Sequence, residues 1–349
     1  MPINRREMIA GLSLGAVASQ LGHSVQAATL SAAGKAFSPK AGPRSRVLFI
    51  NDLSGDIDGL FAAVHAILSP SIDLRGIIGT GTGSPRETAE ISVALAHEML
   101  RLTGRAGQIP VHIGSKGKLA IAGTPDRSAG AQAIIDEARR TDTSLPLYVA
   151  VGGGLTEVAS ALMLDPSIAS RMTLIWIGGN IASNSNTAEY NFAIDRLATR
   201  YIFNETLVPI WQVPSEVYAT CIVSASEIQR FIAPCGAVGN WLYGKLIAVN
   251  EQFAGYRMNT GEVWTMGDSP LVLLTALTAA VPSTFGRQPR YERTGASAYD
   301  EVFAPKLAQD GGTEPRTEGR KIRLYTSVDT RLMFNDLYAK LQTFRPQLP

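Results

Sequence analysis

The chain has 349 residues, 45% of them hydrophobic and 18% charged, with 32 Lys+Arg against 30 Asp+Glu and a formal net charge of +2. That is an ordinary globular composition with ample material for a large core, in one α/β domain or two smaller ones. Basic residues spread out rather than blocked along a nearly neutral chain point to neither nucleic acid nor an anionic membrane as partner, and suit a small neutral substrate.

The first segment stands apart. Asn4-Arg5-Arg6-Glu7-Met8, a mildly apolar run from Ile9 to Leu21, and Val25-Gln26-Ala27 have the three regions of an export signal. The adjacent arginines make residues 1–27 resemble a twin-arginine signal; the competing reading is a disordered arm. The expectation is a folded protein exported to the periplasm or beyond, its mature chain beginning near Ala28. Residues 28–46, rich in Ala, Ser, Gly, Pro and Lys, read as a linker before a domain over 47–349. No later run reaches the ~20 apolar residues that span a bilayer. Cys221 and Cys235 either pair across a short loop or stay as two buried thiols.

Val47-Leu48-Phe49-Ile50 predicts a buried first strand, breaking into the acidic turn Asn51-Asp52-Leu53-Ser54-Gly55-Asp56-Ile57-Asp58-Gly59 and a helix over 60–68. Ile72 to Gly79 predicts the second strand, opening into a glycine loop over 79–84; Pro85 and Glu87 fit the first turn of a helix to Leu102. A short strand at 109–114, a helix at 128–140, a strand at 147–151 ending in Gly152-Gly153-Gly154, a helix at 155–164 and a strand at 172–177 closed by Gly178-Gly179 continue the alternation. Residues 192–203 read as helix, 208–213 as strand and 225–255 as one or two helices. A helix at 269–278, a connection with Pro282 and Pro289, a polar stretch from Thr294 to Arg320 with room for a hairpin, a strand at 321–325 and a helix at 330–342 complete the chain. Repeated βα units predict one doubly wound, mostly parallel sheet with helices on both faces. Its binding crevice belongs at the strands' carboxyl ends, where the loops at 51–59, 79–84, 152–156 and 178–191 converge.

Three carboxylates within seven residues, Asp52, Asp56 and Asp58, repel one another unless a hard cation such as Ca²⁺ or Mg²⁺ offsets them; the bland reading is that Asp56 or Asp58 caps the next helix. The loop Gly79-Thr80-Gly81-Thr82-Gly83-Ser84 lacks both the G-x-G-x-x-G spacing and a Lys-Ser/Thr ending, so neither nucleotide-cradle motif is met.

In order along the chain stand the Asp-rich loop, Gly154-Leu155-Thr156-Glu157, a Gly-Gly loop leading to Glu189-Tyr190-Asn191-Phe192, and Gly267-Asp268-Ser269-Pro270. With these the chain resembles the inosine-uridine-preferring nucleoside hydrolase family, from about Val47 to Ser327-Val328-Asp329 and the helix after it. The resemblance implies one Ca²⁺ at the strand ends and hydrolysis of the N-glycosidic bond of ribonucleosides. It implies Asp52 as metal ligand and as base for the attacking water, Thr156 as a ligand through its carbonyl oxygen, and Asp268 as the late ligand. Asp58 would serve metal and substrate, Glu189 and Asn191 the ribose hydroxyls, and Trp264 the base, with Trp241 and Tyr256 in the same covering region. Ribose specificity would follow, because a missing hydroxyl strands buried polar partners.

The departures are as informative. Where the family's loop ends in two adjacent aspartates, Asp58-Gly59 stands here, so the bidentate ligand is missing and Asp56 is the candidate replacement. Ile50 takes the place of the first aspartate of D-x-D, Ser84 that of an asparagine, and Gly267 that of the histidine that serves many members as leaving-group acid. His23 falls in the signal, His65 and His97 in helices and His112 in a strand, so packing is their expected role. Alternatives from other classes are a catalytically degenerate nucleoside- or ribose-binding protein of the same fold and a metal-dependent hydrolase of another small molecule. Homo-oligomerisation is left open.

Overall fold

The computed structural model describes residues 37–181, 189–278, 297–308 and 312–345. The segment expected to be an export signal and most of the expected linker (1–36), part of the fourth loop (182–188), and Pro282 and Pro289 lie outside these. The described residues from Ser38 onward belong to one compact unit.

The chain alternates as its periodicity predicts: β1 (Ser45–Asn51), α1 (Asp58–Ile67), β2 (Ile72–Gly79), α2 (Ala89–Leu102), β3 (Val111–Ile113), α3 (Ala129–Arg139), β4 (Leu147–Gly152), α4 (Thr156–Leu164), β5 (Thr173–Ile177), α5 (Tyr190–Ile194), α6 (Arg196–Glu205) and β6 (Ile210–Val213). A two-stranded ribbon of β7 (Ile222–Ser224) and β8 (Val263–Thr265) brackets the long α7 (Gly236–Gly255). Then come β9 (Ser297–Phe303), the small pair β10 (Lys306–Leu307) and β11 (Thr313–Glu314), β12 (Lys321–Val328) and α8 (Thr330–Thr343).

Among the described residues eight strands form one sheet in the order β3-β2-β1-β4-β5-β6-β12-β9, all parallel except β9, which runs antiparallel to β12. The central strands are buried on both sides of the sheet, whereas the edge strands β3 and β9 are partly exposed. Val47 and Phe49 of β1 join one apolar cluster while Leu48 and Ile50 join the other, as period-two alternation requires when helices cover both faces. The strand order reverses between β1 and β4, so a crevice forms at their carboxyl ends.

Several boundaries differ from expectation for local reasons. The first strand starts at Ser45 rather than Val47, because the linker's last residues are anchored: buried Arg46 donates from Nη1 to the Glu137 carboxylate (2.7 Å), and Arg44 donates to the Thr275 carbonyl (2.8 Å). α2 begins at Ala89, not at Pro85. Thr88 is its N-cap, accepting from the Ile91 amide, and Glu87 belongs to the preceding turn, its amide donating to the Ser84 carbonyl. The 225–255 segment is broken by a π-turn at Ile228–Ile232, and the helix expected at 269–278 shortens to Pro270–Val272 plus a π-turn at Leu273–Leu277. The polar stretch supplies β9, which pairs with β12. Cys221 and Cys235 are both free thiols.

Candidate active site

The end of β1 and the glycine turn after β4 build the floor of a cavity of about 390 Å³. A Cβ on Gly152 would stand 2.3 Å from Asp268 Oδ1, and one on Gly153 would stand 3.2 Å from Asp52 Oδ1. Two glycines at the end of β4 therefore let carboxylates from distant parts of the chain approach the backbone. Asp52 follows β1 directly and is 8% exposed; Asp268, just before Pro270, is 4% exposed. Asp58, in the first turn of α1, accepts the Gly59 amide at Oδ1 (2.8 Å) and the Asp268 amide at Oδ2 (3.2 Å), joining the first loop to the last.

The other wall is the cap of α5. Glu189 is its N-cap and accepts from the amides of Asn191 (3.1 Å), Phe192 (2.9 Å) and Gly179 (2.7 Å) and from the Tyr218 hydroxyl (2.8 Å). Asn191 Nδ2 donates to the Ile177 carbonyl (2.9 Å), which fixes the side chain at the end of β5. The loops after β1, β4 and β5 thus line one cavity, as the topology predicts. The loop after β2 contributes through Glu87, whose carboxylate accepts from the hydroxyls of Thr82 (2.6 Å) and Tyr190 (3.1 Å).

Asp52, Asp56, Asp58, Glu87, Glu189 and Asp268 all line this cavity, and no Lys, Arg or His does among the described residues. Burial raises the Asp52 carboxyl well above the ordinary carboxylate range, and Asp268 raises it further. Asp58 is raised by burial and then by Asp268, Asp56 and Asp52. Asp268 is pushed up to about 7, burial outweighing the hydrogen bond from Asn51 that favours its charge.

Of the five expected metal ligands, Asp52, Asp56, Asp58 and Asp268 line the cavity. Asp56 Oδ1 accepts the Ile57 amide (2.5 Å) and Trp264 Nε1 (3.1 Å), which fixes it at an exposed position in the cavity lining. It does not cap α1, whose N-cap is Ile57 without a side-chain hydrogen bond. The Thr156 hydroxyl lies 2.7 Å from Asp195 Oδ2 and 2.9 Å from the Gly117 carbonyl, which anchors the residue whose carbonyl oxygen is the expected ligand. Among the described residues no three His, Cys, Asp or Glu side chains stand at the spacing of a preformed metal centre. The chemistry of the donors nevertheless fits a hard cation. Asp52, Asp58 and Asp268 offer only oxygen, they converge over the glycine floor, and no cationic side chain offsets them.

Trp264 lines the cavity and packs against Phe253 (5.8 Å between centroids); Trp241 instead carries Lys245 over its ring (5.1 Å). Tyr256 lines a neighbouring cleft, its hydroxyl accepting from Arg86 (2.9 Å). His65 is buried with Nε2 2.7 Å from Asp336, His112 is half-buried on β3 and His97 is exposed on α2; none lines the cavity. Sequence reasoning missed Asn51, whose Nδ2 donates to Asp268 Oδ2 (2.7 Å), and Tyr218, whose ring fills the space beside position 267. The glycines at 59 and 267 were the available signals, since space left by a missing side chain is filled by another.

The sequence profile of the inosine-uridine preferring nucleoside hydrolase family matches residues 49–334. No curated protein sequence matches. Among solved structures, a plant nucleoside hydrolase shares 16% identity over 86% of this chain and 99% of its own, with a TM-score of 0.63. A purine-preferring ribonucleoside hydrolase from Gardnerella vaginalis shares 17% over the same proportions (TM-score 0.61). An inosine-uridine preferring nucleoside hydrolase from Bacillus anthracis shares 14%, again over 86% and 99%, with a TM-score of 0.61. At these identities the likeness is one of fold.

Proposed function

This chain belongs to the inosine-uridine preferring nucleoside hydrolase family, and on that footing we propose that it hydrolyses the N-glycosidic bond of ribonucleosides to free base and ribose. The observation that carries the reading is the cavity at the sheet's switch point, where Asp52 and the fixed Glu189–Asn191 pair face one space that, among the described residues, is lined by six carboxylates and no cationic side chain. An oxocarbenium-like transition state is positively charged, and preorganised carboxylates around the sugar stabilise that charge more than they stabilise the neutral nucleoside. Asp52 is the base that removes a proton from the attacking water, held at the end of β1 against the glycine floor. Glu189, held by four donors, presents a carboxylate of fixed orientation to the ribose hydroxyls with Asn191 beside it.

Asp52, Asp58 and Asp268 would hold a Ca²⁺, with the main-chain oxygen of Thr156 completing the set that the resemblance implies. When bound, the ion supplies a more acidic, oriented water and anchors ribose hydroxyls. The base is flanked by Trp264, Phe253 and Tyr190, so its departure is assisted by stacking, with no acid at Gly267. We further take residues 1–27 as an export signal and place the working protein in the periplasm or outside the cell; N-terminal sequencing of the mature protein beginning near Ala28 is the expected result.

Release of base and ribose from a ribonucleoside panel tests the assignment. Asp52→Asn is expected to lower kcat about 10²–10⁴-fold with the fold retained. A second reading, a nucleoside-binding protein that has lost catalysis, is favoured by the absent side chains at Gly59 and Gly267. Tight nucleoside binding without release of base by the parent protein would establish it.

A further inference from the structure

Position 59 is where the ligand set of the family falls one carboxylate short, and the structure gives the reason. A Cβ on Gly59 would stand 2.1 Å from Asn51 Oδ1 and 2.8 Å from its Cγ, so no side chain fits there while Asn51 points as it does. Asn51 is not free to step aside. It is 1% exposed at the end of β1, its Nδ2 is 2.7 Å from Asp268 Oδ2, and a Cβ on Gly152 would stand 2.5 Å from the same nitrogen. The amide is thus wedged between the first turn of α1, the end of β4 and the Asp268 carboxylate, in space that glycines at 59 and 152 leave open.

We propose that Asn51 is the compensating cation ligand of this site, its side-chain oxygen standing in for the carboxylate missing at position 59. The inference rests on the functional reading above in taking a hard divalent cation to be held beside Asp52 and Asp268. A carboxamide is a regular oxygen ligand for Ca²⁺, and a half-turn about Cβ–Cγ exchanges Nδ2 and Oδ1 with almost no change in volume. The same side chain can donate to Asp268 or turn its oxygen to an ion that Asp268 shares. Because the amide is neutral where an aspartate would carry a charge, the ligand set has one negative charge fewer, and affinity falls with ligand charge. Positions 51 and 59 are therefore sterically exclusive: one ligand is delivered from the strand in place of one from the helix.

Titration calorimetry and thermal melting with Ca²⁺ alone as the probe test this. Asn51→Asp is expected to melt lower than the parent in chelator, where its carboxylate faces Asp268, but to bind Ca²⁺ at least tenfold more tightly and melt higher in its presence. Asn51→Ala is expected to weaken Ca²⁺ binding more than tenfold. Gly59→Asp alone is expected to melt lower than the parent, and Asn51→Ala/Gly59→Asp to recover melting and bind Ca²⁺ at least as tightly as the parent. Unchanged Ca²⁺ affinity in both Asn51 variants, a fully tolerated Gly59→Asp, or no calorimetric or melting response of the parent at millimolar Ca²⁺ would each overturn the assignment. Nucleoside turnover is scored separately: Ca²⁺ binding as expected without release of base supports the ligand assignment while removing the hydrolase reading.

Discussion

Tyr218 reaches Glu189 across a gap of 29 residues in sequence, and its hydroxyl is the one side-chain donor among the four groups that hold that carboxylate. The three backbone donors keep Glu189 at the cap of α5 whatever stands at 218, while the hydroxyl sets the direction of Oε1 within the cavity. Tyr218→Phe removes a charge-assisted bond of about 1.5–3 kcal/mol. Part of that orientation is needed only when ribose is bound, so kcat/KM for a ribonucleoside is expected to drop roughly 10–100-fold. Loss of the bond is expected to lower the melting temperature by only a few degrees, and steady-state kinetics beside a thermal melt check the two halves. Asp52, Asp268 and Glu189 were legible in the sequence because each sits in a short motif whose neighbours predict its place. Asn51 and Tyr218 were not, because their roles exist only against Gly59, Gly152 and Gly267, which the fold brings alongside.

At the scale of elements, two contacts fasten helices and strands far apart in sequence. Arg46 on β1 and Glu137 on α3 are a buried pair, with the Arg46 guanidinium also donating to the carbonyls of Glu137 and Leu145. Arg46→Met leaves a buried carboxylate short of its main partner and is expected to cost about 3–5 kcal/mol, read by denaturant unfolding. Arg75 and Arg140 also reach Glu137 and set the lower end of that range. On the opposite face His65 of α1 is buried beside Asp336 of α8, and burial holds its pKa below the ordinary value. A histidine neutral in the fold and free to charge when unfolded takes up more protons on unfolding. Stability is therefore lost as pH falls below about 6.5, the unfolded value. Urea unfolding from pH 8 to 5 is expected to show that loss, and His65→Gln to flatten it. Apolar periodicity gave the strand–helix alternation from β1 to β6 but not the β7–β8 ribbon. It misplaced the start of α2, where Thr88, three residues beyond the proline taken as the signal, captures the Ile91 amide, and the start of β1, where two arginines in a polar stretch are anchored rather than solvated.

At the scale of the whole molecule, strand order carries the function. Winding outward from β1 in both directions leaves a crevice at the β1–β4 junction, and the loops after β1, β2 and β5 and the segment before Pro270 bring acids to it, so among the described residues six carboxylates share one cavity. This much the sequence announced, because buried parallel strands and acidic loops at their ends both leave local signatures. Offsetting that charge is a property of the assembled sheet, since Asp52 and Asp268 meet only when β1, β4 and the segment before Pro270 are all in place. A cation bound there binds the folded chain and not the unfolded one. At a hundred times its dissociation constant it adds about 2.7 kcal/mol to stability. For a domain of this size that is expected to raise the melting temperature by roughly 5 °C. Scanning calorimetry in CaCl₂ against chelator, with NaCl matched for ionic strength, measures it, because simple screening of the carboxylates acts equally in both salts while a bound divalent ion does not. Coincident melts in the two salts would remove the divalent cation from this site, leaving protonation of Asp52 and Asp268 as the means by which the cavity tolerates its acids.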